Sequence, residues 1–310
     1  RNKKKYEWEQ IPEFDKLKFS YKDLMWVRDD IYNPLTRKKL KVVISVDLSE
    51  GLGQDYSVIN IFKLGVKDLE LIERQKSKFK SIVDFCKLEQ IGLYRSNIIS
   101  VKEISELLYI LCFEYFDPDN IKVILEINTY GNELLAHMPN VFDGNNNYGS
   151  YIFVRYKHRQ DAVDEKLGIK IGDNKNLLVK EYQERMESRS IQINNESTIS
   201  EITTFTKHIT NAGNVRYAAD GSSNDDIVMT IVSMSSIFGK IQFSQLVEEY
   251  IDTISDIDVK NYINDFMNGD EYIEPINYSQ ILNIRKRMMT RTKSDIDDKS
   301  INDWIARFKS

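Results

Sequence analysis

Cysteine is almost missing from this sequence. The two that occur in 310 residues, Cys86 and Cys112, sit in apolar contexts without metal-ligand spacing. That argues against a disulfide framework or a thiolate zinc site, and both read as reduced core residues. Histidine is as scarce: His137, His158 and His208 are the three, none at zinc-ligand spacing. Long apolar runs are missing too. None approaches the roughly 20 residues of a membrane span, and the basic start RNKKKYEWEQ lacks the apolar stretch of a signal peptide. A cytosolic chain with no membrane partner is expected. Neither a GxxxxGKS/T phosphate loop nor a GxSxG elbow occurs, which removes P-loop NTPases and elbow-type serine hydrolases from consideration. There is no initiator methionine, so the sequence reads as part of something longer.

What is present describes a globular chain, with 41% hydrophobic and 29% charged residues. A net charge of -5 argues at first against a nucleic-acid partner. The charge is unevenly spread, however. Residues 151–191 hold nine Lys/Arg against seven Asp/Glu, with Arg155, Lys157, His158 and Arg159 close together, whereas residues 240–280 hold two against nine. A basic surface and an acidic tail can therefore coexist.

Residues 1–40 carry three aromatic clusters and read as an arm or hinge. Strand-like runs follow at Val42–Ser49, Ser57–Leu64 and Leu88–Arg95, joined as a meander. Between the last two, the segment Gly65–Cys86 is compatible with an extended strand or a helical insertion. An amphipathic helix is expected over Val101–Phe116, stopped by DPDN, and then IKVILEIN reads as a fully buried central strand. A short helix over Gly131–His137, a strand at Tyr151–Val154, a helix over Asn176–Ser188 and the strand SIQIN come next. The chain then reads as a helix over Ser200–Ile209, the strand NVRYA and a helix from Ser223 to Phe238. Strands in a meander, then strands alternating with helices, imply an α/β domain: a mixed sheet flanked by helices, compatible with a ribonuclease-H-like fold. Residues 241–310 read as a helical extension.

Three acidic sites stand out. In VVISVDLS the side chains alternate, so Val42, Ile44, Val46 and Leu48 face one way and Val43, Ser45, Asp47 and Ser49 the other. Alone, Asp47 reads as a strand-end acid reaching solvent, and Asp55 in SEGLGQD as a hairpin-turn residue. Glu126, inside VILEIN, is different, because a carboxylate in a buried strand must be paired, protonated or bound to a cation. Asp225 and Asp226 open an apolar helix, where acids also complement the helix dipole and Ser222 or Ser223 can cap. Together, acids at two strand ends and one helix start can meet at one sheet edge. Clustered carboxylates call for divalent cations, and hard oxygen ligands select Mg²⁺ or Mn²⁺. Two such ions suit phosphodiester hydrolysis without a protein nucleophile.

The segments VDLSEGLGQDYSVINIF, EQIGLYRSNIIS, VILEINTYGNELL, GIKIGDNKNLLVKEYQERMESRSIQIN, EITTFTKH and DGSSNDDIVMTIVSMSSIFG resemble, in order, the C-terminal nuclease domain of tailed-bacteriophage terminase large subunits, the T4-like branch above all. The resemblance covers roughly residues 41–240. It implies a ribonuclease-H/resolvase-like fold that cuts concatemeric double-stranded DNA during genome packaging. The family's metal-binding acids then fall on Asp47, Glu126 and Asp226, with Asp225 adjacent and Asp55 close by, holding two Mg²⁺ or Mn²⁺ ions. Lys175 falls on a lysine suited to a phosphate contact. Asn224 stands where the family often has histidine, so no histidine is available there as ligand or proton carrier. The resemblance also implies a portal protein, a small terminase subunit and a packaging ATPase domain as partners, the ATPase half lying outside this chain. It further implies a virus-encoded, non-virion assembly factor in the host cell cytoplasm. DNA is expected to approach across Arg155, Lys157, Arg159, Lys166, Lys170 and Lys175. Another ribonuclease-H-fold nuclease, such as a junction resolvase, and a non-catalytic docking module for portal or DNA are the competing readings.

Overall fold

Short β-branched runs build the sheet. In the computed structural model, which describes residues 8–10, 26–28, 34–53, 55–141, 152–157, 166–209, 215–221 and 224–268, two short strands come first, β1 (Trp8–Gln10) and β2 (Trp26–Arg28). A helical turn, α1 (Pro34–Arg37), leads into the longer strands β3 (Val42–Asp47), β4 (Ser57–Val66), β5 (Cys86–Ser96) and β6 (Ile121–Leu125). Strands β3, β4 and β5 form an antiparallel meander, and β6 lies parallel to β3 on its other side. The order β1-β2-β5-β4-β3-β6, with its central β5-β4-β3-β6 directions, is the ribonuclease-H-like arrangement. A parallel neighbour requires a crossover, and it is made by α3 (Val101–Tyr109), preceded in the chain by a short α2 (Leu69–Gln75). Helix α3 starts at a capping box in which Ser100 and Glu103 satisfy each other's backbone N–H groups.

One face of the sheet is apolar. Val42, Ile44, Val46 and Leu48 pack with Ile59, Ile61, Val123 and Leu125 beneath α3 and α4 (Thr129–Val141). Each fully buried aliphatic side chain there contributes roughly 1.5–3 kcal/mol, so this face carries much of the folding energy.

The opposite face carries α5 (Lys175–Glu187), α6 (Glu196–Thr204) and α7 (Asp226–Ser235), and it is held by a buried polar chain. Ser45 Oγ donates to the Thr230 carbonyl at 2.7 Å, and Asn60 Nδ2 donates to Thr230 Oγ1 at 3.2 Å. Gln90 Nε2 donates to Asn60 Oδ1 and to Thr198 Oγ1, both at 2.9 Å. Because these bonds are directional and buried, they fix the register of α6 and α7 on the sheet.

A small antiparallel pair, β7 (Arg155–Tyr156) and β8 (Lys166–Leu167), is stitched to the edge of β6. Ile169 accepts from Ile127 N–H at 2.7 Å and donates to the Leu125 carbonyl at 2.8 Å. The approach requires Gly168, whose φ is +73° and whose absent Cβ would strike the Ile127 side chain. Strand β9 (Ile191–Gln192) joins β5 in parallel, and β10 (Phe205–Ile209) with β11 (Val215–Ala219) forms a separate hairpin. Helices α8 (Ile241–Asp252) and α9 (Ile257–Asn268) follow. Residues 1–260 form one unit and 261–310 a second, of which the end of α9 is described.

Two expectations require correction. The helix expected over Ser200–Ile209 ends at Thr204, and Phe205–Ile209 is a strand. The alternation FTKHI is that of a strand, and its partner VRYAA completes it, with Phe205 stacked on Tyr217 at 6.2 Å. The helix expected over Val101–Phe116 is regular only to Tyr109. Ile110–Tyr115 is a π-helical turn that buries Leu111, Cys112 and Tyr115. The segment Gly65–Cys86 resolves as the end of β4, helix α2 and short 3-10 turns, the last closed by a Ser81–Asp84 capping box. Both cysteines are free and buried, and burial pushes the Cys86 thiol up to about 12. Among the described residues no single helix is long and apolar enough to cross a membrane. The loop DGNNNYGS, Ser222, Ser223 and the basic segment NIRKRMMTRTK lie outside the described residues.

Candidate metal centre

The meander and crossover bring distant acids to one sheet edge. Asp47 is the last residue of β3, and Val46 pairs with Leu125 of the parallel strand β6. Glu126 N–H then donates to the Val46 carbonyl at 3.0 Å, which sets Glu126 beside Asp47. Residues adjacent in register on parallel strands point to the same side, and neighbouring strands lie about 4.8 Å apart. The two carboxyls lie close enough for each to act on the other's titration. Burial raises both above the ordinary carboxylate range. The Glu126 charge adds to the rise in Asp47, as does that of Asp226, while Asp47 and Lys175 hold Glu126 back.

Helix α7 delivers the third acid from the same face. Asp226 opens the helix, and its Oδ2 accepts from the Tyr56 N–H at 3.3 Å. Burial raises its pKa to about 6, Asp55 and Asp225 repel it further, and Tyr56 N–H and Arg95 oppose the rise. Asp225 stands at the N-cap position, yet its side chain makes no capping bond; it faces Lys175 Nζ at 3.6 Å.

The turn between β3 and β4 carries Asp55. Ser49 Oγ donates to the Asp55 carbonyl at 2.8 Å, and Ser49 N–H donates to Ser57 Oγ at 3.0 Å. Gly51 has a φ of +71° and lies against the Ile99 carbonyl, a position that no side chain fits. The turn thereby holds Asp55 near Asp226, itself exposed at the rim.

Glu201 is a sixth acid, one that the sequence did not single out. On α6 it is buried, with 7% of its surface exposed, and both its oxygens accept from Ile227 N–H at 3.3 Å. It thus does the capping that Asp225 leaves undone. Burial raises its pKa to about 7; Arg95 and the Ile227 N–H lower it, and Asp226 and Asp225 push it up. Arg95, whose guanidinium lies 3.7 Å over the Tyr56 ring, is the cation between Glu201 and Asp226. No signal in the sequence marked it: Thr198 and Glu201 lie three apart on one helix face, and only the structure shows that face to be buried. A glutamate on an inward face needs a partner.

Asp47, Glu126, Asp225, Asp226, Asp55 and Lys175 are therefore brought into one neighbourhood. Lys170 follows Ile169, which bridges to Glu126, so it flanks the cluster. Arg155 and Lys166 lie on the β7–β8 pair with Lys157 exposed just beyond, a step further out; Arg159 lies outside the described residues. Among the described residues no three His, Cys, Asp or Glu side chains already converge at ligand distance around one point. The donor set nonetheless fits a hard divalent cation. It is all oxygen, it is partly desolvated, and burial raises the pKa values of Asp47, Glu126 and Asp226, a cost that a cation removes.

The sequence shows no significant match to a protein-family profile or to a curated protein. Similar solved structures are large terminase nucleases. The magnesium-bound crystal structure of the large terminase nuclease from thermophilic phage G20c is 19% identical, with a TM-score of 0.45, over 68% of this chain and 86% of that one. The large terminase nuclease domain of Thermus phage P74-26 is 19% identical, with a TM-score of 0.44, over 70% and 87%. The zinc-bound G20c nuclease is 16% identical, with a TM-score of 0.39, over 68% and 86%.

Proposed function

We propose that residues 41–240 are a metal-dependent endonuclease domain of a phage terminase large subunit, cutting concatemeric double-stranded DNA. The observation that carries this reading is the buried acid pair Asp47–Glu126, side by side on adjacent parallel strands and faced by Asp226 at a helix start, on a ribonuclease-H-like sheet. Asp47, Glu126, Asp225 and Asp226, with Asp55 at the rim, would hold two Mg²⁺ or Mn²⁺ ions. When bound, those ions supply Lewis-acid polarisation of the scissile phosphate and a lowered pKa for the attacking water.

The chain's own residues do the rest. Tyr56 N–H and Arg95 fix the Asp226 carboxylate, and Glu201 fixes the helix end that carries it. Lys175, against Asp225 and Glu126, tempers their charge and would meet a phosphate oxygen. Arg155, Lys157, Arg159, Lys166 and Lys170 would contact the duplex backbone, which carries no sequence information, so cutting is expected to be weakly selective and steeply salt-dependent. In this reading the portal protein, the small terminase subunit and the packaging ATPase domain are the partners, and the site of action is the host cell cytoplasm.

The test is plasmid cleavage by the purified chain with Mg²⁺ or Mn²⁺. Cutting that appears with either ion and disappears with EDTA supports the proposal. No cutting, or cutting that persists in EDTA, overturns it. In a competition between linear duplex and four-way junctions, strong preference for junctions would move the assignment to a resolvase.

A further inference from the structure

A cavity of about 490 Å³ opens at the other end of the sheet, between the β4–β5 connection and the C-terminal part of α5. Lys67, directly after β4, forms part of its wall and is buried, with 3% of its surface exposed. Its ammonium lies 5.2 Å from the centre of the Phe79 ring, and among the described residues no carboxylate stands within ion-pair distance of it. Asp84, whose charge acts on it most, is already engaged. Asp84 Oδ2 accepts from the Lys80 and Ser81 N–H groups at 2.9 and 3.1 Å, and Oδ1 accepts from Arg185 at 3.3 Å. Burial lowers the Lys67 pKa to about 8, so the group remains mostly charged at neutral pH.

Gln75, on the same wall, has a buried Oε1 that no donor among the described residues reaches. A buried cation without an acceptor and a buried acceptor without a donor each cost free energy. Here both residues line one cavity, and because Gln75 Oε1 is itself closed off from it, a single ligand satisfies both once the Gln75 amide turns into the cavity.

We propose that this cavity binds a small organic anion of up to nucleotide size, with its phosphate or carboxylate on Lys67 and a neighbouring hydroxyl or amino group donating to Gln75. The volume is within the range of small-molecule sites, and the Phe79 and Phe238 rings give it apolar walls. Lys78 and Lys80 are exposed on one lip, and Glu184 and Glu187 on the other, which directs an incoming anion to the lysine side. The site does not depend on the nuclease reading, because strand β4 separates it from the carboxylates by roughly 30 Å.

The experiment is calorimetric titration of the intact chain at pH 7 with pyrophosphate, AMP or succinate, at constant ionic strength, without DNA or divalent metal. The first two probes separate phosphate from the carboxylates of the third. Saturable binding of at least one probe, one per chain, is expected. Lys67→Met should weaken it by roughly tenfold or more, the scale of one charge-assisted hydrogen bond. Gln75→Leu should weaken AMP severalfold, and it decides the matter if Lys67→Met fails to fold. No saturable binding of any probe to the wild type, or unchanged affinity in the folded variants, overturns the proposal.

Discussion

The two ends of the central sheet carry buried charge of opposite sign. Where β3 and β6 finish, Asp47, Glu126 and Asp226 crowd together, with Glu201 behind them and Arg95 and Lys175 as nearby cations. Where β4 finishes, Lys67 is buried beside an acid whose oxygens are held by backbone N–H groups and Arg185. Burial pushes the carboxylates up and the lysine down. Neither arrangement stabilises the fold, since a desolvated charge without a full partner is a net cost. The elements around both ends are well anchored, by the Ser45–Thr230–Asn60–Gln90 chain on one side and the Ser81–Asp84 box on the other. Charge held under strain by a rigid frame is the signature of a site awaiting a counter-charge, cationic at the first end and anionic at the second.

The largest expected effect breaks the comparison at the acidic end. Asp47→Asn or Glu126→Gln should reduce Mn²⁺-dependent plasmid cleavage on the order of 10²–10³-fold or more, as for loss of a group acting in the transition state. A variant that cuts within a few-fold of wild type would remove its residue from the site.

Next in size is the support behind the acids. Glu201→Ala leaves the Ile227 N–H without its acceptor, so it should cost about 1–2 kcal/mol in denaturant unfolding and roughly 10–100-fold in cleavage. Glu201→Gln keeps an acceptor oxygen and should recover most of both. Equal losses in the two variants would mean that the charge of Glu201, rather than its capping of α7, is what matters.

The smallest effects sharpen the contrast in sign. Carboxylates whose pKa is raised on folding bind more protons in the folded than in the unfolded state. Metal-free stability should therefore fall as pH rises from the ordinary carboxylate range through about 6 for Asp226 and about 7 for Glu201. Asp226→Asn should flatten that decline, by an amount on the order of 1 kcal/mol after screening. Lys67, lowered from 10.5 to about 8, behaves in reverse, so its contribution rises between those values. The difference in melting temperature between wild type and Lys67→Met, followed from pH 7.5 to 10, isolates it from the thiols and phenols that titrate above. Parallel curves would contradict a charged, buried Lys67.

The acidic end was more legible in the sequence than the basic one, for a physical reason. Glu126 announces itself because a charge in VILEIN violates the strand's own pattern, and Asp47 and Asp226 gain meaning once strand ends and a helix start share an edge. Glu201 in EITTF violates nothing: a glutamate in a short polar helix is ordinary until the inward face of α6 is known. Lys67 follows a strand end, where a lysine is ordinarily solvated, and the packing of Phe79 against it becomes visible only in the fold. The meander and the central strand were equally readable from β-branched runs. Strand β10 was not, because FTKHI follows a helix without a Gly or Pro break, although its partner in NVRYA was read as a strand.

The most direct test of the central claim is titration calorimetry of Mn²⁺ into the chain at pH 7, repeated in buffers of different ionisation enthalpy. Because burial biases Asp47 and Glu126 toward their protonated forms, saturable binding should release protons, and Asp47→Asn should abolish both binding and release. Absence of saturable binding, or binding without proton release that Asp47→Asn leaves intact, would contradict the account.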